Sequence, residues 1–205
     1  MADKPPDKSA PRAERSGDPE RRAAILDAAD KLFRHYGPGK TTIGDIAREA
    51  DVGVGSVYLE FCSKDEIVAE LSGRRHHRVL SAMRSAAGTA RGAERQTRAL
   101  EARVDTLFEL RQEGTHSCDL VMCASTKGSY GRFRSEERDL VIELLRSEGV
   151  KDAARVAELI ERAHATLSPP WLFELDRRRA LALCRELNAV LVAGVFARPA
   201  RRSAR

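Results

Sequence analysis

The chain lacks any run of about 18 apolar residues, the length a helix needs to cross a bilayer, so a helical membrane span is excluded. It also lacks an apolar stretch near its start. The segment MADKPPDKSAPRAERSGD is rich in Pro, Ser and mixed charge, unlike a signal peptide. It predicts a disordered tail over residues 1–17 and, with the missing span, a cytoplasmic protein. Cysteine is scarce and scattered, at Cys62, Cys118, Cys123 and Cys184. The near pair, Cys118 and Cys123, has neither the close spacing nor the second pair of a zinc site, and reduced, partly buried thiols are expected. His76 and His77 are adjacent and would point to different faces of a helix. No metal and no cofactor is assigned. Sustained alternation of apolar and polar residues is missing too, which predicts an all-α chain.

Charge of one sign is not in excess where it would matter most. The net charge is +5, yet residues 20–70 hold seven bases and ten acids, and residues 71–100 seven bases and one acid. A nucleic-acid function therefore rests on which residues face a duplex, and total charge does not help it. The Arg-rich stretch Arg74 to Arg98 and the basic tail, residues 199–205, read as solvated surface.

What is present is concentrated in TTIGDIAREADVGVGSVYLEFCSKDE, residues 41–66. Thr42 with Asp45 three positions on is a helix-start signature, because the hydroxyl accepts from first-turn amides. Ile46 and Ala47 form a short apolar stripe. Asp51-Val52-Gly53 supplies a turn, since Asp and Gly tolerate unusual backbone angles. Val54 to Phe61 reads as a second helix with Val57 and Phe61 on one face. Ser63 with Glu66 opens a third. Two short helices at a steep angle form a helix-turn-helix, whose second helix enters the DNA major groove. Gly53, Val54, Gly55 and Ser56 would then approach closest: Gly admits the backbone, Ser bonds a base edge or phosphate, and Val touches a thymine methyl. Lys64, at a helix start, suits a phosphate. Thr41 and Thr42 offer donors to another phosphate, and Arg48 reaches the backbone or a guanine. Glu60 would be repelled by phosphate; a local Arg salt bridge is its expected fate, and accepting from a cytosine amino group is the alternative.

These residues resemble the DNA-binding region of the TetR family of bacterial transcriptional regulators. The family's order of Thr-Thr, Ile-Ala, a turn, Gly-Ser-hydrophobe-Tyr, an aromatic and Ser-Lys is carried by Thr41, Thr42, Ile46, Ala47, Val52, Gly55, Ser56, Val57, Tyr58, Phe61, Ser63 and Lys64. Upstream, Ala23, Ile25, Leu26, Ala28, Ala29, Leu32 and Phe33, ending at Tyr36-Gly37, resemble the family's first helix. Asp51 stands where the family usually has Gly, Val54 where a polar or basic residue is common, and Leu59-Glu60 where a His-Tyr-like pair is common. The resemblance implies that Tyr58 contacts a phosphate. It also implies that the rest of the chain dimerises and binds an effector.

Elsewhere the pattern stays helical. Asp18-Pro19 opens the first helix, which Gly37-Pro38-Gly39 stops. A helix from Lys64 toward Ala87 would link two modules, with its polar middle, Arg74 to Arg78, exposed to solvent. Leu100 to Leu110 makes another, and residues 127–131 read as a loop. Ser135, Asp152 and Asp176 are expected to cap three more. The domain reading is a helix-turn-helix module over residues 18–72 and a helical effector-binding and dimerisation domain over residues 73–198. In the final helix, Leu187, Val190, Leu191, Gly194 and Val195 belong to a stretch apolar nearly all round, which fits a dimer interface. Phe108, His116, Met122, Cys123, Phe133, Trp171 and Phe173 are the candidate effector pocket.

The expected function is a ligand-responsive, operator-specific regulator, a homodimer that binds double-stranded operator DNA as a repressor and is released by a small apolar or amphipathic effector. The alternative is an architectural or effector-independent DNA-binding protein. An all-α enzyme is disfavoured, because no nucleophile–base–orienter set, phosphate loop or metal cluster appears.

Overall fold

The computed structural model describes residues 18–117, 120 and 127–196, and among them every regular element is a helix. The order is α1 (Pro19–Tyr36), α2 (Ile43–Glu49), α3 (Val54–Glu60), α4 (Lys64–Ala87), α5 (Gly92–Gln112), α6 (Lys127–Ser147), α7 (Ala153–Ala163) and α8 (Arg177–Phe196), with two 3-10 turns between α7 and α8. The disordered-tail reading of residues 1–17 and the basic tail lie outside the described residues.

Local chemistry sets the first four helices. Asp18 accepts from the amides of Glu20 and Arg21, and Pro19 occupies the first helical position. Thr42 and Asp45 close a full capping box on α2, and Ser63 accepts from Glu66 to open α4. The buried faces of α1, α2 and α3 meet in one small core: Ile25, Leu26, Phe33, Ile46, Val57 and Phe61, with Ile67, Val68 and Leu71 from the start of α4.

The second core begins one stretch further along the same helix, at Val79, Leu80 and Met83. At about 1.5 Å per residue, α4 runs about 36 Å and serves both cores. It packs along α5, which packs along α8, while α6 packs against α7 and α4. Leu120 is fully buried, and it joins the first core although it follows α5 in the chain.

Three local expectations are corrected. The middle of α4 is not exposed throughout: Arg75 and His76 are 6% and 4% exposed. Arg75 is held by Asp30, and His76 stacks on Phe133 with ring centroids 3.9 Å apart. Residues 127–131 are the first turns of α6 and not a loop, so Ser135 lies inside that helix and caps nothing. Asp152 stands at the start of α7 without a capping hydrogen bond, whereas Asp176 does accept from the Arg179 amide at 2.8 Å.

Candidate nucleic-acid interface

The turn between α2 and α3 is tight enough to place Asp51 in the left-handed region, at φ 52°. A side chain is admitted there because a short polar residue tolerates that geometry better than a branched one. The turn leaves Gly53, Val54, Gly55, Tyr58 and Leu59 exposed along α3, while Val57 is fully buried beneath them. Gly55 is not required by the fold. A Cβ added there meets nothing within 4 Å, and neither Gly53 nor Gly55 has a positive φ. Their missing side chains therefore leave room for something outside the chain.

The polar residues divide into those committed internally and those available. Thr41 is only 3% exposed, and its hydroxyl donates to the Gly37 carbonyl at 2.9 Å. Its amide donates to the same carbonyl, so Thr41 braces the loop and is corrected as a hydroxyl or amide donor to phosphate. Thr42 is exposed, yet its hydroxyl donates to Asp45 Oδ2 at 2.6 Å and its amide to the same oxygen at 3.0 Å. Those bonds hold the Asp45 carboxyl below its ordinary pKa, with the Thr42 hydroxyl as the largest cause. Arg48 is an available base, its side chain 80% exposed with a 3.4 Å contact to Asp45. Ser56 and Tyr58 remain on the outer side, half-buried and exposed respectively.

Lys64 is half-buried and ties α4 to the loop after α1. Its ammonium donates to the Pro38 carbonyl at 2.7 Å and the Thr41 carbonyl at 2.9 Å. Two of three N–H groups are thereby engaged, which leaves one for an outside acceptor. Glu60 takes the expected salt bridge: it accepts from Arg21, at 2.8 Å from Nε, and from the Asp18 amide at 3.1 Å. The Arg21 hydrogen bond is the main reason its pKa is lowered. Nearby carboxylates are likewise engaged by bases, Glu70 by Arg22 and Glu49 by Lys31. Several acids of this net acidic segment are thus engaged by bases, Asp30 by Arg75 among them.

The expected effector pocket is not assembled as read. Phe108 is buried and meets Phe173 edge to face at 5.8 Å. Phe133 is buried elsewhere against His76. Trp171 is 57% exposed. The His116 amide donates to the Arg34 carbonyl on α1, and its ring lies 3.2 Å from the position a Gly37 Cβ would take. Met122 and Cys123 lie outside the described residues. None of the five described candidates lines the enclosed cleft between α5, α6 and α7, and Phe133 alone among them lines a more open one, with His76 and Leu80. The enclosed cleft holds Arg103, Glu137 and His164, which the sequence reading missed; its signal was a base inside the apolar stripe of Leu100, Val104 and Leu107.

The final helix is not buried all round. Cys184, Asn188 and Val192 face the core, while Leu187 and Leu191 are half-buried and Val195 is partly so. Val190 is 75% exposed and Gly194 is exposed, with nothing within 4 Å of an added Cβ. Among the described residues, no group of three or more potential ligands could hold a metal, and no helix is long and apolar enough to cross a membrane.

Residues 25–71 match the family model described as bacterial regulatory proteins, tetR family. Over 49 residues, 24% of this chain, the sequence is 51% identical to the HTH-type transcriptional regulator HbdR of Aromatoleum sp. (strain CIB). That match spans 21% of the relative's own length. The fold as a whole is similar to a putative transcriptional regulator from Pseudomonas aeruginosa PAO1, with TM-score 0.65 and 25% identity over 90% of this chain and 97% of that one. A TetR-like transcriptional regulator from Rhodococcus sp. RHA1 is similar with TM-score 0.59 and 27% identity, over 90% of this chain and 99% of the other. All three are named as regulators, not enzymes.

Proposed function

We propose, from the match of residues 25–71 to the tetR family model, that this chain is a dimeric, ligand-responsive repressor of that family that recognises a palindromic operator in the bacterial cytoplasm. The observation that carries the reading is the exposed start of α3, where Gly53, Val54 and Gly55 stand clear of the fold with no internal reason for the second glycine. A backbone bare at that point can approach base edges, with Ser56 and Arg48 beside it to donate. Tyr58 and the remaining N–H of Lys64 suit phosphates, which set position and carry no sequence information. Two copies related by a two-fold axis would place their α3 helices in successive major grooves, about one helical turn apart.

Effector binding would favour a conformer with the wrong α3 separation, which requires different ligand affinities in the two conformers. The mechanical link is short. α4 serves both cores, and the segment after α5 docks on α1, where a Cβ at Gly114 would sit 2.8 Å from Arg34. A change in the helical domain is therefore passed to α1 through direct packing. A second reading, an effector-independent DNA binder, has one observation in its favour: the interior cleft encloses only about 20 Å³. An effector would have to open it.

The deciding experiment is selection of bound sequences from a random duplex pool, followed by footprinting. A two-fold symmetric site protected by a dimer supports the proposal. Tight binding without sequence preference, or to a single asymmetric half-site by a monomer, overturns it.

A further inference from the structure

α3 offers no side chain of the kinds that read three of the four bases. Guanine is read by Arg or Lys, adenine by Asn or Gln, and cytosine by Glu or Asp, while the C5-methyl of thymine takes an apolar contact. Residues 18–72 contain neither Asn nor Gln. Lys40, Arg48 and Lys64 stand before α2, on it and at the start of α4, and α3 itself holds no base. Its one acid, Glu60, is withdrawn. That side chain is 2% exposed and accepts from Arg21 Nε and from the Asp18 amide, which removes the cytosine contact open to it in the sequence. Ser56 is half-buried, and a hydroxyl that both donates and accepts discriminates little.

What α3 does expose is hydrocarbon. Val54, at its first position, is 46% exposed, and Leu59 is 56% exposed. At about 3.6 residues per turn, Gly55 and Leu59 lie one turn apart on the side opposite the buried Val57. A helical side chain leans toward the helix N-terminus, so Leu59 covers the patch that Gly55 leaves bare. Resting on the DNA-binding reading above, we propose that α3 reads thymine methyl groups. Val54 and Leu59 each cover one C5-methyl in the major groove, and the half-site beneath α3 is specified as A·T at those two positions.

The surroundings suit that contact. Gly53 and Gly55 let the backbone come close enough for two short side chains to reach the base edges. Arg48 and the third N–H of Lys64 supply charge complementary to the flanking phosphates, which fixes register without specifying sequence. Discrimination is then left to the methyl groups, because a valine or leucine beside a cytosine or a purine loses its apolar partner and satisfies none of the polar groups there.

The test uses the full chain and the duplex most enriched from a random pool, resynthesised with deoxyuridine for thymidine at one position at a time. Uracil keeps every hydrogen-bonding group of thymine and lacks only the methyl. Two positions per half-site should each lose about fourfold in affinity, the effect of returning one apolar carbon to water. The same change made in both half-sites should cost about fifteenfold. Cytosine at either position should bind more weakly still, and 5-methylcytosine should recover about fourfold of that loss. Leu59→Ala should bind the thymine and uracil duplexes equally at one of the positions, and Val54→Ala at the other. Both residues are exposed, so the core stays intact, and the wild-type series stands by itself if a variant does not fold. Half-sites of G·C pairs throughout, uracil tolerated at every position, or a methyl dependence that survives both variants overturns methyl readout and leaves operator recognition standing. Methyl dependence on a single asymmetric site supports the readout and sinks the dimeric reading. No enrichment from the pool overturns both.

Discussion

Arg75 Nη2 donates to Asp30 Oδ1 across 2.6 Å, joining the long α4 to α1 through a guanidinium whose side chain is 6% exposed. Asp30 also pairs with Arg34 Nε at 3.0 Å, so one carboxylate anchors two bases at the junction of the modules. Removing one partner of a buried pair costs about 3–5 kcal/mol. Asp30 retains some solvent and a second base, so Arg75→Met should cost about 1–3 kcal/mol. Urea unfolding measures it. An unchanged midpoint would mean that the pair contributes nothing to the junction.

Asp51 adopts φ 52°, where the Cβ of an L-residue crowds the carbonyl. Asp51→Ala should destabilise by about 1 kcal/mol, because alanine lacks the polar side chain that helps Asp there. Asp51→Gly should be at least as stable as the parent, since the relief of strain offsets glycine's extra chain entropy. Thermal melts of the two variants check the order. Alanine more stable than glycine would contradict the strain at this turn.

Lys64→Ala should lower affinity for all duplexes and flatten the log–log salt dependence by about 0.9 per lost phosphate contact, or about 1.8 per dimer. It should also lower stability, because the ammonium bridges the Pro38 and Thr41 carbonyls. Tyr58→Ala should weaken binding without altering the slope, because its hydroxyl carries no charge. Binding measured at several salt concentrations separates the roles. A salt slope unchanged in a folded Lys64→Ala protein would assign Lys64 to bracing the loop alone.

The helix-turn-helix was legible because its determinants are local. Thr42 and Asp45 are three residues apart, and Ser63 and Glu66 likewise, so cap and partner appear together in the sequence. Glu60 was legible through chemistry: a carboxylate on that helix had to be neutralised, although the sequence did not say that Arg21 would do it. Arg75 was not legible. Its partner is 45 residues away, and a run of Arg and His reads as surface until that partner is placed. The cleft was hidden for the same reason, since Arg103, Glu137 and Ser168 come from three separate segments. The aromatics chosen for the pocket instead filled core or stood exposed, because apolar character marks burial and not a cavity. At residues 127–131, two glycines suggested a loop, and the helix continuing through them shows tertiary packing overriding local propensity.

Burial keeps the His164 pKa below its ordinary 6.5, and this fixes the sign of a pH effect. The unfolded chain takes up a proton near 6.5 while the folded chain resists it. Stability is therefore complete above that value and falls as pH drops through the lower folded pKa, with a slope of at most about 1.4 kcal/mol per pH unit. His164→Gln should flatten the fall between pH 7.5 and 5.5, a window above the ordinary range of carboxylates. Urea midpoints across that window provide the measurement, and an identical fall in the variant would place its origin elsewhere.

Gly194 gives the sharpest separation between a dimer face and an ordinary surface. In a single chain an added Cβ there meets nothing, so Gly194→Ala should strengthen α8 by about 0.5–1 kcal/mol if the face meets only water. If a second α8 approaches closely, the same methyl group intrudes between backbones and dimer affinity falls. Val190, 75% exposed on the same helix, supplies the companion variant. Val190→Glu leaves the single-chain core untouched and buries a charge only when two copies associate, a cost of several kcal/mol. Sedimentation should therefore find a dimer for the parent, a weakened dimer for Gly194→Ala and a folded monomer for Val190→Glu. Operator affinity should fall in the same order, because one α3 cannot span two half-sites. A Val190→Glu protein that remains dimeric, with Gly194→Ala merely more stable, would move the interface off this face of α8.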